Sequence, residues 1–272
     1  MSKPIVLVTG ATDGIGKQTA LELARAGAGV IVHGRSAEKV AASAKSIVDE
    51  TGSSTVSTAV ADLSSLEAVR GLAKELGERV AAPTVLLHNA GVYEKSRHLT
   101  VDGFERTFAV NHLAPFLLTH LLLDRLAPHA RIVLVASGVH RGARIDLADL
   151  QLEHDYDGYT AYAQSKLGNV LFANELAARL RHRELTVLSL HPGVIATKLL
   201  RAGFGGGGAT LAVGAQTSVF AALDPSLEGK KGLYLDAAHI SECSKTARDP
   251  ELMRSVYEAS CRLVGIDGLP LS

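Results

Sequence analysis

The chain has 272 residues, 47% of them hydrophobic, enough apolar mass for a substantial buried core and too much for an intrinsically disordered chain. Lysine plus arginine and aspartate plus glutamate each total 28, so no basic excess exists to drive binding to nucleic acid or to an anionic membrane. Two cysteines argue against a disulfide framework and fit a reducing cytoplasm, and the absence of tryptophan removes the stacking platforms used on single strands; a small molecule is the expected partner.

The chain opens with four residues that lead directly into Ile5-Val6-Leu7-Val8, which predicts a strand over 4–9 and no signal segment. Thr9-Gly10-Ala11-Thr12-Asp13-Gly14-Ile15-Gly16 follows, then an Ala/Leu-rich helix over 15–27 closed by Gly27 and Gly29. The glycine spacing, G-x-x-x-G-x-G, is not the common G-x-G-x-x-G. The physics is shared, because glycines allow the sharp turn, admit a pyrophosphate close to backbone and aim a helix N-terminus at it. A second strand, 29–34, ends in His33-Gly34-Arg35-Ser36. An acid at this strand end suits a free ribose 2′-hydroxyl, whereas arginine suits a 2′-phosphate. No carboxylate appears before Glu38, so Arg35 points to NADP(H) over NAD(H), with a solvated loop arginine as the alternative.

Helix 37–51, strand 55–60, helix 65–80 with Asp62 or Ser64 as cap, and strand 84–88 continue the alternation. Helix 103–127 contains the longest apolar stretch, 113–123, well short of the roughly 20 residues of a membrane span. Strand 131–136, helix 159–182, strand 185–190, helix 209–223, strand 232–235 and a last helix over 249–264, begun by Asp249-Pro250, complete the pattern. Apolar strands alternating with helices predict an α/β fold: one doubly wound (Rossmann) domain spanning 1–272, with a seven-stranded parallel sheet and helices on both faces. Within it, 198–212 holds Leu199, Leu200, Phe204 and four consecutive glycines, and reads as a flexible substrate loop, either an apolar lid or a plain loop. The insert 141–159 is the expected opposite wall.

Tyr162 and Lys166 are four residues apart on one predicted helix, hence on one face. An ammonium one turn from a phenol favours the phenolate, so the pair suggests a tuned proton donor. Ser137 ends the strand 131–136, on the side where open α/β sheets bind ligands. His112, His140 and His191 lack metal-ligand spacing, and no metal is expected.

The ordered set Thr9-Gly10-x-x-x-Gly14-x-Gly16, Ala61-Asp62-Leu63, Asn89-Ala90-Gly91, Asn111, Ser137, Tyr162-x-x-x-Lys166 and His191-Pro192-Gly193 resembles the short-chain dehydrogenase/reductase family over nearly the whole chain. Thr100-Val101-Asp102-Gly103-Phe104-Glu105, Val110-Asn111-His112-Leu113, the run 165–172, Gly214-Ala215-Gln216-Thr217-Ser218 and the tail from 234 to 265 are most similar to the branch of retinol dehydrogenases and the WW-domain-containing oxidoreductase. Ala136 and Ala114-Pro115 depart from the family pattern without removing a catalytic position. The resemblance implies a nicotinamide-dependent oxidoreductase that moves a hydride between cofactor and a carbonyl or alcohol. Its catalytic set would be Asn111, Ser137, Tyr162 and Lys166. Tyr162 would be the acid or base, Ser137 the donor to the substrate oxygen, Lys166 the partner of the nicotinamide ribose, and Asn111 the holder of a relay water. The implied cofactor contacts are Gly10, Thr12, Asp13, Gly14, Ile15, Gly16, Arg35, Asp62, Leu63, Asn89, Ala90, Gly91, Tyr162, Lys166, Pro192, Gly193, Val194 and Thr197. Asp62 would meet the adenine, Asn89 the adenosine ribose and 192–197 the nicotinamide end. An apolar carbonyl or alcohol is the expected substrate, and a homodimer or homotetramer is a family expectation. Two alternatives stay open: a reductase of another bond, such as an activated C=C or imine, and a nucleotide-sensing protein without turnover.

Overall fold

The seven apolar runs become parallel strands because most of them are buried on both faces. A computed structural model describes residues 3–79 and 82–270. In chain order the strands are β1 (Ile5–Val8), β2 (Gly29–Gly34), β3 (Val56–Val60), β4 (Val85–His88), β5 (Arg131–Val135), β6 (Thr186–His191) and β7 (Lys231–Asp236), each within one residue of its predicted bounds. An eighth, β8 (His239–Ser241), pairs antiparallel with β7 and corrects the expected seven-stranded parallel sheet. Its three residues fall below the length at which an apolar pattern can be read, and the left-handed backbone at Ala237 and Ala238 turns the chain back on itself. The sheet order is β3-β2-β1-β4-β5-β6-β7-β8, so the winding reverses between β1 and β4.

The helices are α1 (Gly14–Arg25), α2 (Ala37–Thr51), α3 (Leu66–Glu78), α4 (Arg106–Phe108), α5 (Ala114–Leu122), α6 (Gly158–Arg179), α7 (Lys198–Phe204), α8 (Leu211–Leu223) and α9 (Pro250–Val264). One face of the sheet carries α1, α2 and α8 and the other α3, α5, α6 and α9. Ser65, rather than Asp62 or Ser64, caps α3 by accepting from Ala68 N at 3.3 Å, because Asp62 is engaged by the Ser64 amide and hydroxyl. The predicted helix 65–80 ends at residue 80, which lies outside the described residues. Asp249 caps α9 with Pro250 in the first turn, as expected.

Two predicted features take another form. The single helix 103–127 is α4, a π turn over Ala109–Leu113, α5 and a 3₁₀ turn over Leu123–Arg125. Glu105 starts this run only at Arg106, its carboxylate accepting from Thr107 N and Phe108 N at 2.8 and 2.6 Å. Within the segment 198–212, read as a loop, residues 198–204 are the helix α7, capped by Thr197. Seven residues are too few for helical periodicity to register.

The helix α9 covers part of α5 and α6. Phe172 lies between Phe116, at a centroid distance of 4.6 Å, and the rings of His112, His120 and Tyr257. The Tyr257 hydroxyl and His120 Nε2 are 2.8 Å apart, and the Arg179 guanidinium lies 4.0 Å above the Tyr257 ring. Phe172→Ala is therefore expected to cost about 3–5 kcal/mol, the usual range for a buried phenylalanine. Urea unfolding of the purified variant measures it; a loss below about 1 kcal/mol would contradict this packing.

Candidate active site

The carboxyl ends of β1, β2, β4, β5 and β6 point the same way, and a cleft of about 850 Å³ runs across them at the reversal of strand order. This is where open α/β sheets receive ligands. Every expected cofactor contact lines it, from Gly10 to Thr197, together with Ser137, Tyr162 and Lys166; Asn111 does not.

The glycine turn is shaped by close approach. Gly10 has φ +67°, and a Cβ there would sit 2.9 Å from Ala90 Cα. A Cβ on Gly16 would run into the Gly10 carbonyl and the Asn89 amide. The cradle and the N-terminus of α1, lined by Gly14, Ile15 and Gly16, fit a pyrophosphate. Thr9 locks this turn to β4: its hydroxyl accepts from Asn89 N at 2.9 Å and Ala90 N at 3.0 Å, while Asn89 Nδ2 donates to Thr9 O at 2.8 Å. The Asn89 amide, expected at a ribose, is thus spent on the turn. Asp13 differs similarly. Its carboxylate caps α1 through Gly14 N at 2.9 Å and accepts from Lys198 Nζ at 2.5 Å, and the Lys198 bond foremost holds it below the usual carboxylate range.

At the β2 side the guanidinium of Arg35 is exposed on the rim, and Arg106 lines the cleft nearby. Burial opposes ionisation of Asp62, but the Ser64 hydrogen bonds and the charges of Arg35 and Arg106 bring its carboxyl below the usual value. His33, buried at the end of β2, is pushed down to about 4 by desolvation and stays neutral, Nδ1 facing Gly10 N.

The β5–β6 side holds the chemistry. Asp157 starts α6 by accepting from Thr160 N at 2.8 Å, which sets Tyr162 and Lys166 one turn apart on the face turned to the cleft. The two are 7% and 3% exposed. Burial pushes the Tyr162 phenol up to about 12 against a smaller opposing effect of the Ser137 hydroxyl, and pushes Lys166 down to about 8. These directions correct the simple reading of the pair. The Lys166 ammonium is 5.5 Å from the Tyr162 ring centroid and donates to Val135 O at 2.9 Å, so it does not hold a phenolate directly. Ser137 leaves β5 in extended conformation beside the phenol. The His140 ring behind it accepts from Ser244 N at 3.2 Å through Nε2, leaving Nδ1 to donate to Ser137 O at 2.7 Å.

Asn111 has no exposed surface, and its amide is fully engaged. Oδ1 accepts from Val92 N at 2.8 Å, and Nδ2 donates to Val92 O and Ser165 Oγ, each at 3.0 Å. Its side chain thereby secures the strand-end segment carrying Gly91. The π turn that contains it is the local irregularity common at functional sites. Thr9, Arg106 and Tyr93 were not among the predicted site residues, whereas Lys198 and Phe204 lie in the segment read as a substrate loop. Thr9 alone stood inside a recognisable motif; the others come together only through α4, α7 and the segment after β4. Among the described residues no group of three or more potential ligands could hold a metal, and no helix is long and apolar enough to cross a membrane.

A family profile described as short chain dehydrogenase matches residues 4–204. Retinol dehydrogenase 11 of Homo sapiens is 40% identical over 273 residues, covering 96% of this chain and 86% of that protein. The crystal structure of an uncharacterized protein from Mycobacterium paratuberculosis superposes with a TM-score of 0.83 at 32% identity, over 99% of this chain and 96% of that one. A short chain dehydrogenase from Escherichia coli CFT073, complexed with NADPH, gives a TM-score of 0.72 at 29% identity, over 87% and 97% of the two chains.

Burial of Lys166 has a pH signature. Its amine keeps a proton to about 10.5 when unfolded but only to about 8 when folded, so the unfolded chain binds more protons between those values. Folded-state stability thus rises with pH through that window, and below pH 8 the whole cost, about 3 kcal/mol, is carried. Lys166→Met is expected to be more stable than the parent at pH 7 by up to that amount, with the advantage shrinking by pH 9.5. Urea midpoints at the two pH values test it; a difference independent of pH would refute it.

Proposed function

The chain belongs to the short-chain dehydrogenase family and is a nicotinamide-dependent oxidoreductase, and on that premise we propose that it interconverts a carbonyl and an alcohol on an apolar substrate with NADP(H) as its preferred cofactor. The observation that carries the reading is the convergence of Tyr162, Ser137 and Lys166 in one cleft with the glycine turn. The turn over 10–16 and the α1 N-terminus would hold the pyrophosphate, Arg35 the 2′-phosphate, and 192–197 the nicotinamide end. The nicotinamide, when bound, supplies or accepts the hydride.

The side chains do the rest. As hydride reaches the carbonyl carbon, negative charge develops on oxygen, where the Ser137 hydroxyl donates a hydrogen bond and the Tyr162 phenol gives up its proton. Carbonyl, hydride and proton together make the alcohol, and water returns the proton to Tyr162. With its pKa pushed up to about 12, the phenol stands in the donating form at neutral pH. Lys166 supplies the positive charge nearest the phenolate that proton transfer leaves. Preference for NADP(H) is supported by Arg35 on the rim and by the lack of a carboxylate at the end of β2. The Escherichia coli relative complexed with NADPH points the same way.

Tyr162→Phe is expected to bind cofactor as the parent does and to lose at least 10³-fold in kcat, the order expected for removing the acid–base group. Steady-state rates beside calorimetric cofactor titrations check it, and preserved turnover would take Tyr162 out of the mechanism. In a second measurement the parent should bind NADPH more tightly than NADH, and Arg35→Ala should lose most of that margin, about tenfold or more for a charge-assisted contact of ordinary strength. Equal affinities in the parent would remove Arg35 from this role.

A further inference from the structure

Beside Tyr162 an aromatic cluster reaches the cleft through Phe204. The Phe204 ring stands edge-on to Tyr162, with centroids 5.7 Å apart and planes at 68°, and meets Tyr93 at 5.6 Å and 62°. Tyr93 itself lies 5.9 Å from Tyr162, and Tyr159 reaches Phe204 from outside at 5.8 Å. The cluster is tightly seated on one side. A Cβ on Gly203 would lie 2.6 Å from the Tyr93 ring, so only glycine lets α7 bring Phe204 this close. On the other side it is loose, because Gly205, Gly206 and Gly207 lead away from Phe204 with open space where a side chain would stand. The first turn of α7 is held at the glycine turn by the Lys198–Asp13 pair. Phe204 therefore ends a short helix that is tied down at its start, with its ring against that of Tyr162 and only glycines after it.

Accepting Tyr162 as the proton donor, a substrate whose body enters between Tyr162 and Tyr93 takes the place of the Phe204 ring. The exchange is nearly neutral when the incoming group is itself a flat ring, since the edge-to-face contacts with Tyr162 and Tyr93 are made again. A saturated group of the same size forfeits both contacts and is thicker than the space Phe204 leaves. We propose that Tyr93 and Phe204 form a displaceable aromatic slot that selects carbonyl compounds bearing a planar aromatic ring next to the reacting carbon. This rests on the carbonyl-reductase reading and narrows it to a substrate class. Two ring–ring contacts of ordinary strength favour an aryl ketone over its saturated counterpart by about tenfold.

The test compares 1-tetralone with 1-decalone, which share a carbon skeleton, by calorimetric binding to the NADP⁺-loaded protein and by NADPH oxidation. The parent protein is expected to bind 1-tetralone about tenfold more tightly, Tyr93→Leu to bring the two within about threefold, and Tyr93→Phe to restore the preference. Phe204→Leu should tighten both ketones by a similar factor without altering their ratio, because a gate without ring contacts is easier to displace. Equal binding of the two ketones to the parent, or an undiminished ratio in Tyr93→Leu, overturns the proposal. Weaker binding of both in Phe204→Leu removes Phe204 as the gate. Turnover without ring preference defeats the slot alone. Ring-selective binding with no NADPH oxidation leaves the slot standing and defeats the carbonyl-reductase reading instead.

Discussion

The hydrogen bonds between Thr9 and the end of β4 are the constraint on which the functional half of the molecule depends. β1 and β4 are neighbours across the reversal of strand order, and there the chain on either side departs for opposite faces of the sheet. Such a point is a crevice by topology. Left unfastened, it would carry unpaired strand-end amides. The Thr9 hydroxyl accepts two of them, Asn89 returns a bond to the Thr9 carbonyl, and Gly16 lets α1 press onto both. The glycine turn and the segment leading to Gly91 are thereby fixed relative to one another before any ligand arrives. That segment is held again from the far side by Asn111, and in this way the first and second halves of the cleft share one rigid floor.

Burial governs the electrostatics of everything above that floor. His33, His88, His112 and His120 are all pushed down to about 3 or 4 by desolvation and act as neutral hydrogen-bonding groups, not as charges. Tyr162 and Lys166 obey the same physics with opposite consequences: one proton is held more firmly, the other more loosely. An i, i+4 pairing on a solvated helix would leave both near their ordinary values. Depth in the cleft sets the pair apart, and there the partners are the Val135 carbonyl and the Ser137 hydroxyl rather than each other.

How much of this was legible follows from the length of the signals. Strands buried on both faces write continuous apolar runs, and Ile5–Val8, Gly29–Gly34 and Arg131–Val135 were placed to within a residue. The glycine turn and the Tyr162, Lys166 and Ser137 positions were legible too, since each sits at a strand end or helix face that pattern alone locates. Features shorter than a period were not. β8 has three residues, α4 has three and α7 seven, and all are created by local caps or turns: Glu105 at α4, Thr197 at α7, the left-handed Ala237 and Ala238 before β8. The scaffold bonds of Asp13, Asn89 and Asn111 were not legible for a related reason. A polar residue in a site motif can serve the ligand or the scaffold, and only the position of Lys198, Thr9 and Val92 shows that these three serve the scaffold.

The distribution of unsatisfied chemistry separates the two ends of the fold. Around α9, polar side chains in the core are mutually spent: His112 with Ser260 and Asn169, His120 with Tyr257, Glu175 with Arg179. Such a network costs little because each buried group has its partner. At the carboxyl ends of the strands the balance is the reverse. Lys166 donates to the Val135 carbonyl, its charge is disfavoured by burial, and the phenol of Tyr162 lies against the ring of Phe204. A fold selected for stability alone would relieve these costs with apolar side chains, as it does elsewhere in the same sheet. They persist together at one end where a reacting oxygen and its cofactor would relieve them, so strain of this kind marks the corner that ligands would complete.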